Sequence, residues 1–109
     1  DGIFGNITFS ERSNGDFLAT IMLDGTADGG MHPAHIHMGA VGDSGAIAYT
    51  FNVVDGATGI SRSNVSALDS GDSFMYSDIA SYDGYVNVHA SATDLATLAA
   101  QGNIGANAE

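Results

Sequence analysis

Residues 3–24 read IFGNITFSERSNGDFLATIMLD and predict a β-hairpin. The first strand runs from Ile3 to Ser10, and the second from Phe17 to Asp24, where every other residue is apolar and shares one face. Between them, Asn14-Gly15 supplies the positive φ angles that a tight hairpin turn requires. The hairpin indicates an all-β protein.

In the rest of the chain, short apolar segments likewise alternate with the turn-forming residues Gly, Asn, Asp and Ser. We therefore predict a Greek-key-like antiparallel β-sandwich or flattened barrel with short helical turns. The further predicted elements are a strand over Met31–Met38, a strand over Ala46–Val54 with Ile47, Tyr49, Phe51 and Val53 on its apolar face, a strand over Tyr85–Ala90, a helical turn over Leu95–Gln101 capped by Thr93-Asp94, and a short last strand at Asn103 and Ile104.

Length and charge limit the classes of function. With 109 residues, positions 1–109 form a single domain, and the absence of cysteine excludes disulfides, thiolate metal sites and cysteine nucleophiles. The formal net charge is -11, with Arg12 and Arg62 as the only basic residues besides histidine. Such a surface repels phosphate backbones, so nucleic acid is excluded as a partner. No apolar run is long enough for a membrane span.

Four histidines suggest a metal site. His35 and His37 are two residues apart on a predicted strand, so both imidazoles point to the same side while Ile36 points to the core. On the later strand, Val86 and Val88 take the core face, which places His89 on the opposite face. If the two strands are neighbours, three nitrogens can meet on one ion. His32, which precedes Pro33 and is therefore biased towards an extended conformation, is a fourth candidate ligand.

The residues around the histidines favour copper over zinc. Imidazole suits both metals, whereas the thioether sulfur of Met31 or Met38 has affinity for Cu(I). Met38 directly follows His37, so it can ligate only if the strand breaks there; core or rim packing is the alternative role for both methionines. Asp83 or Asp43 is a candidate for orienting the imidazoles through their second nitrogens.

Two segments together resemble a known family. The first is Pro33-Ala34-His35-Ile36-His37-Met38-Gly39 with the glycine turn Gly42–Gly45, and the second is Tyr85-Val86-Asn87-Val88-His89. Both are similar to the CHRD (chordin-domain) pattern, and the resemblance extends over nearly the whole chain. It implies a secreted domain, extracellular or periplasmic. The chain departs from the family near its end, where Leu98-Ala99-Ala100-Gln101-Gly102 replaces a charged segment.

A fainter likeness is to the β-sandwich of Cu/Zn superoxide dismutase. His35-Ile36-His37, Gly42-Asp43 and Val88-His89 occur in the same order as a His-x-His strand, a Gly-Asp turn and a distant copper-binding histidine in that enzyme. This chain lacks the enzyme's zinc-binding loop and disulfide cysteines, and its negative charge would repel superoxide. The likeness supports copper geometry and argues against efficient dismutation.

Three functions follow in order of preference. The first is a copper-binding domain for capture, buffering or delivery of copper, in which the ligands are His35, His37 and His89, assisted by His32, Met38 or Met31. The second is an extracellular protein-protein interaction module, by analogy with chordin, in which the histidines are structural. The third is a copper enzyme such as a weak dismutase, for which the sequence offers no general acid or base.

Overall fold

The fold is an antiparallel β-sandwich, as the sequence predicts. The computed structural model describes residues 3–43, 45–91 and 93–107. Its elements are β1 (Phe4–Glu11), β2 (Phe17–Asp24), β3 (Met31–His32), β4 (Ala34–Met38), β5 (Ile47–Thr50), β6 (Val54–Asp55), β7 (Ile60–Val65), α1 (Tyr76–Ile79), β8 (Asp83–Ser91) and β9 (Asp94–Gly105). The first sheet has the order β1-β2-β7-β6-β3, and the second has the order β5-β4-β8-β9.

The predicted hairpin at the start of the chain is confirmed as β1 and β2, with Ile7 opposite Ile21. Phe17, Ala19, Ile21 and Leu23 are all buried, as their two-residue period predicts. Phe17 packs edge-to-face on both Phe9 and Phe74, with ring centroids 5.6 Å apart in each pair. These contacts anchor the first sheet to the core between the two layers.

The predicted single strand Met31–Met38 is in fact two strands, and this correction bears on the site. His32 pairs with Val54 in the first sheet, whereas Ala34 pairs with Val88 in the second. Pro33 lies between them and has no N–H to donate to a ladder, so the chain changes sheets at this residue. The crossing closes one side of the sandwich.

The predicted apolar face of Ala46–Val54 is only partly correct. Tyr49 packs against the core and Phe51 is buried, but Ile47 and Val53 are 49% and 42% exposed. The register between β4 and β5 shifts between Ile36 and His37, so Ile47 lies opposite His37 instead of on the core face. A β-bulge of this kind reverses the face that the following residue occupies.

The predicted helical turn over Leu95–Gln101 is wrong. These residues belong to β9, which also includes the predicted last strand at Asn103 and Ile104 and pairs with β8. Asp94 does accept a hydrogen bond from the Thr97 N–H at 3.2 Å, as a helix cap would. Cross-strand pairing overrides this local signal, because the backbone of β9 finds its partners on β8.

Residues 61–81 contain most of β7 and the one-turn helix α1. The predicted turn between Gly39 and Gly45 includes Ser44, which lies outside the described residues. The predicted domain 1–109 includes both ends of the given sequence, and these also lie outside the described residues. In the described ranges, no helix is long and apolar enough to cross a membrane.

Candidate metal centre

Three histidines converge on the outer face of the second sheet, where β4 and β8 are its two central strands. His35, His37 and His89 each offer a nitrogen, and these nitrogens all lie within 4.8 Å of one another. The ring centroids of His35 and His89 are 5.1 Å apart, and those of His35 and His37 are 5.9 Å apart. The structure thus brings together the three residues that the strand periodicity placed on one side.

Backbone pairing explains the convergence. In the β4–β8 register, His35 lies opposite Asn87 and Ile36 lies opposite Val86, so His89 is a diagonal neighbour of His35. Diagonal neighbours on one face are about 7–8 Å apart at Cα, which two imidazole rings can bridge. The fully buried Ile36 anchors β4 in the core and keeps its two flanking histidines on the outside.

Backbone carbonyls orient two of the rings. His37 Nδ1 lies 2.8 Å from the carbonyl oxygen of Gly45, and His89 Nδ1 lies 3.0 Å from that of Leu95. A carbonyl only accepts, so Nδ1 is the protonated nitrogen in both rings and Nε2 keeps its lone pair. Asp43 and Asp83, the carboxylates expected in this role, instead accept from the Ala40 N–H and the Asn107 side chain.

The Nε2 atoms of His37 and His89 have different surroundings. Among the residues that the structure describes, His37 Nε2 is buried and has no hydrogen-bond partner, whereas His89 Nε2 lies 3.1 Å from His35 Nδ1. Since His89 Nε2 carries a lone pair, His35 Nδ1 is the donor of this bond. Each of the three rings therefore directs one nitrogen towards the others, and a buried lone pair without a partner is a costly arrangement that a cation would relieve.

Burial and neighbouring rings favour the neutral form of His35. The pKa of His35 is lowered, first because burial disfavours its charged form and then because the His89 and His37 rings are close by. Asp69 acts in the opposite direction and raises this pKa. It binds the backbone N–H and the hydroxyl of Thr50, which lies opposite His35 on β5. A neutral imidazole is the form that binds a metal.

Of the other three predicted ligands, His32 does not belong to this group of three nitrogens. His32 is buried on β3, and its Nδ1 donates to the backbone carbonyl of His89 at 3.0 Å, so it supports a ligand-bearing strand. Its Nε2 is buried and has no hydrogen-bond partner in the part of the chain that the structure describes. Met31, on β3, and Met38, at the end of β4, are 51% and 50% exposed.

One further side chain of the site, Tyr85, is not among the residues predicted from the sequence. Its ring stacks on His37, with centroids 5.1 Å apart and planes at 14°, and its hydroxyl accepts the Gly45 N–H at 3.0 Å. The signal was present in the alternation Tyr85-Asn87-His89, which places Tyr85 and His89 on one face. The carbonyl partners carried no signal, because any residue type can supply a backbone carbonyl.

The chain was compared with protein-family models, with curated proteins and with solved structures, and none of the three comparisons finds a match.

Proposed function

We propose that this protein is a secreted copper-binding domain that captures, buffers or delivers copper, with His35, His37 and His89 as the ligands. One observation carries the proposal: two imidazoles have Nδ1–H fixed on backbone carbonyls, which leaves their Nε2 lone pairs directed into a cluster with the third. Metal-binding histidines typically donate their other N–H to a carbonyl or carboxylate in this way.

The spacing of the nitrogens suits a first-row metal. Two imidazole nitrogens that share an ion at about 2.0–2.1 Å are separated by about 2.8–3.4 Å, for angles between those of square-planar and tetrahedral geometry. His35 Nδ1 and His89 Nε2 are 3.1 Å apart. Binding requires the transfer of the His35 proton from Nδ1 to Nε2 of the same ring, so that an ion replaces the proton between the two residues.

Copper is favoured by the donor set. Three neutral imidazoles suit zinc and copper alike, but copper binds a given nitrogen site more tightly in the Irving–Williams order. The exposed methionines add soft sulfur near the histidines in sequence, which favours Cu(I). The resemblance to the CHRD family and the fainter likeness to the dismutase sandwich support the secreted location and the copper geometry.

Copper titration of metal-free protein tests the proposal. Wild-type protein should bind one Cu(II) with nitrogen hyperfine structure in its EPR spectrum, and His37→Ala and His89→Ala should each lose tight binding. Asn87→Ala is a matched control, because Asn87 lies opposite His35 on the same face of β8 but has no imidazole, and within the described ranges its side chain accepts a hydrogen bond from Gln101 alone. Weak binding of several ions, unaffected by either histidine variant, would show that the cluster is no metal site and favour the interaction-module hypothesis.

The fourth ligand is tested separately, by X-ray absorption of the Cu(I) form. A sulfur contribution that disappears in Met38→Leu or Met31→Leu would support the predicted thioether ligand. A spectrum fitted by nitrogen alone, and unchanged in both variants, would contradict it. For His32, which the structure places on the His89 carbonyl, His32→Asn should leave the number of nitrogen ligands unchanged if its role is support.

A further inference from the structure

An apolar cleft opens on the side of the sandwich opposite the Pro33 crossing. It lies between the edge strands β1 and β9 and has a volume of about 310 Å³. Of the residues that the structure describes, none with a charged side chain lines it. Its walls are continuous with the core and are formed chiefly by Ile7, Ile21 and Leu23 of the first sheet and by Val86, Val88 and Ile104 of the second.

Small residues on the two edge strands keep the cleft open. Gly102 pairs with Val86 and Ala100 pairs with Val88, so both occupy the core face of β9 with almost no side chain. On β1, a Cβ at Gly5 would collide with the backbone carbonyl of Met22, so this position cannot carry a side chain. At Gly102, by contrast, an added Cβ would meet no atom within 4 Å.

The rim of the cleft offers few free polar side-chain groups. The Asn103 side chain accepts the Val41 N–H, and the Gln101 amide donates to the side chain of Asn87. A ligand would therefore be held by apolar contact along its body, and any polar group would remain in water. The net charge of -11 disfavours an anionic ligand.

The volume sets the size of the ligand. It is about twice that of an engineered apolar cavity of roughly 150 Å³ that binds benzene, and it lies at the lower end of the roughly 300–1,000 Å³ range of small-molecule sites. We propose that the cleft between β1 and β9 binds a neutral, largely apolar small molecule of roughly nine to twelve non-hydrogen atoms. This site is separate from the histidine cluster, because the two lie on opposite faces of β8.

The experiment uses 1-octanol as the probe and methyl NMR spectra of the whole protein as the readout. Saturable shifts should appear at the methyl groups of Ile7 and Val88, which line the cleft, and sodium octanoate should bind more weakly because of its charge. Gly102→Leu places a side chain in the open space and should abolish the shifts, and Gly102→Val is the second variant if the leucine disturbs folding. Thr8→Leu adds the same side chain on the exposed face of β1 and should bind 1-octanol as wild type does.

Several results would overturn the proposal. One is a set of shifts that never saturates or is spread over the surface, and another is equal binding in wild type and Gly102→Leu. A third is a dimer in sedimentation that Gly102→Leu dissociates, because a second copy would then be the occupant. Copper stoichiometry measured on Gly102→Leu keeps this test independent of the histidine cluster, which that substitution does not touch.

Discussion

Replacing Tyr85 by phenylalanine tests how the site is held in place. The substitution keeps the ring that stacks on His37 and removes only the hydroxyl, which accepts the Gly45 N–H at 3.0 Å. Gly45 in turn supplies the carbonyl that holds His37 Nδ1–H at 2.8 Å. The variant therefore loosens the orienting group of one proposed ligand without removing any ligand.

The expected effects are small and can be bounded. Loss of one partly buried hydrogen bond costs about 0.5–1.5 kcal/mol of unfolding free energy, which corresponds to a fall of about 2–12 °C in Tm for a domain near this size. Deletion of a group that orients a metal ligand lowers metal affinity by roughly 10–100-fold. Because Gly45 itself remains in Tyr85→Phe, we expect the lower end of that range, about tenfold or about 1.4 kcal/mol.

Competition with a chelator of known copper affinity measures the change, and thermal unfolding of the metal-free variant measures the stability. Tyr82→Phe is the matched control, since the Tyr82 ring is half-buried against Phe74 and the core. A Tyr85→Phe variant that loses stability as expected but binds copper as tightly as wild type would contradict the orienting role of Gly45. In that case the Gly45 carbonyl would not orient His37 in the loaded protein.

Three further predictions concern packing, ligand linkage and ionisation. Ile36→Ala should cost roughly 2–5 kcal/mol in urea unfolding because Ile36 is fully buried, whereas Ile47→Ala, at a half-exposed position, should cost about 0.5 kcal/mol or less. Free Cu(II) at 100 times its Kd should stabilise the fold by about 2.7 kcal/mol, and chelator or His89→Ala should remove this gain in a thermal melt. The pKa values of Tyr49 and Tyr82 are raised, chiefly by burial, so both phenols ionise at a lower pH in the unfolded chain than in the folded protein. The free energy of unfolding should therefore fall as pH rises above about 10. Absorbance titration should show a late-ionising component that each Tyr→Phe variant reduces, and its absence would contradict this assignment.

The sequence could predict those features that depend on local alternation. Phe17 and Ile21 face the core and His35 and His37 share the other side of their strand, because side chains alternate every two residues whatever the partner strand. The position of His89 relative to Val88 follows from the same rule. What alternation alone left open was whether the two histidine-bearing strands are neighbours.

Features that depend on pairing could not be read from the sequence. The Asp94 side chain does accept the local hydrogen bond expected of a helix cap. The segment is nevertheless a strand, because its backbone pairs with β8 along a ladder of hydrogen bonds. The shift that turns Ile47 outwards exists only where β5 meets β4. The carbonyls of Gly45 and Leu95 likewise become partners of imidazoles only after the strands have assembled.

The candidate site therefore depends on strand register. Val86 and Val88 pack in the core while His89, itself buried, lies on the opposite face of β8, so a slip of β8 by one residue would turn the histidine towards the core and both valines away from it. Ile36 imposes the same constraint on β4. The three nitrogens meet only in the register that also buries the apolar side chains, which means that core packing preorganises the cluster before any ion arrives. A metal bound across β4 and β8 would in return stabilise that register, because it binds the native pairing and not its alternatives.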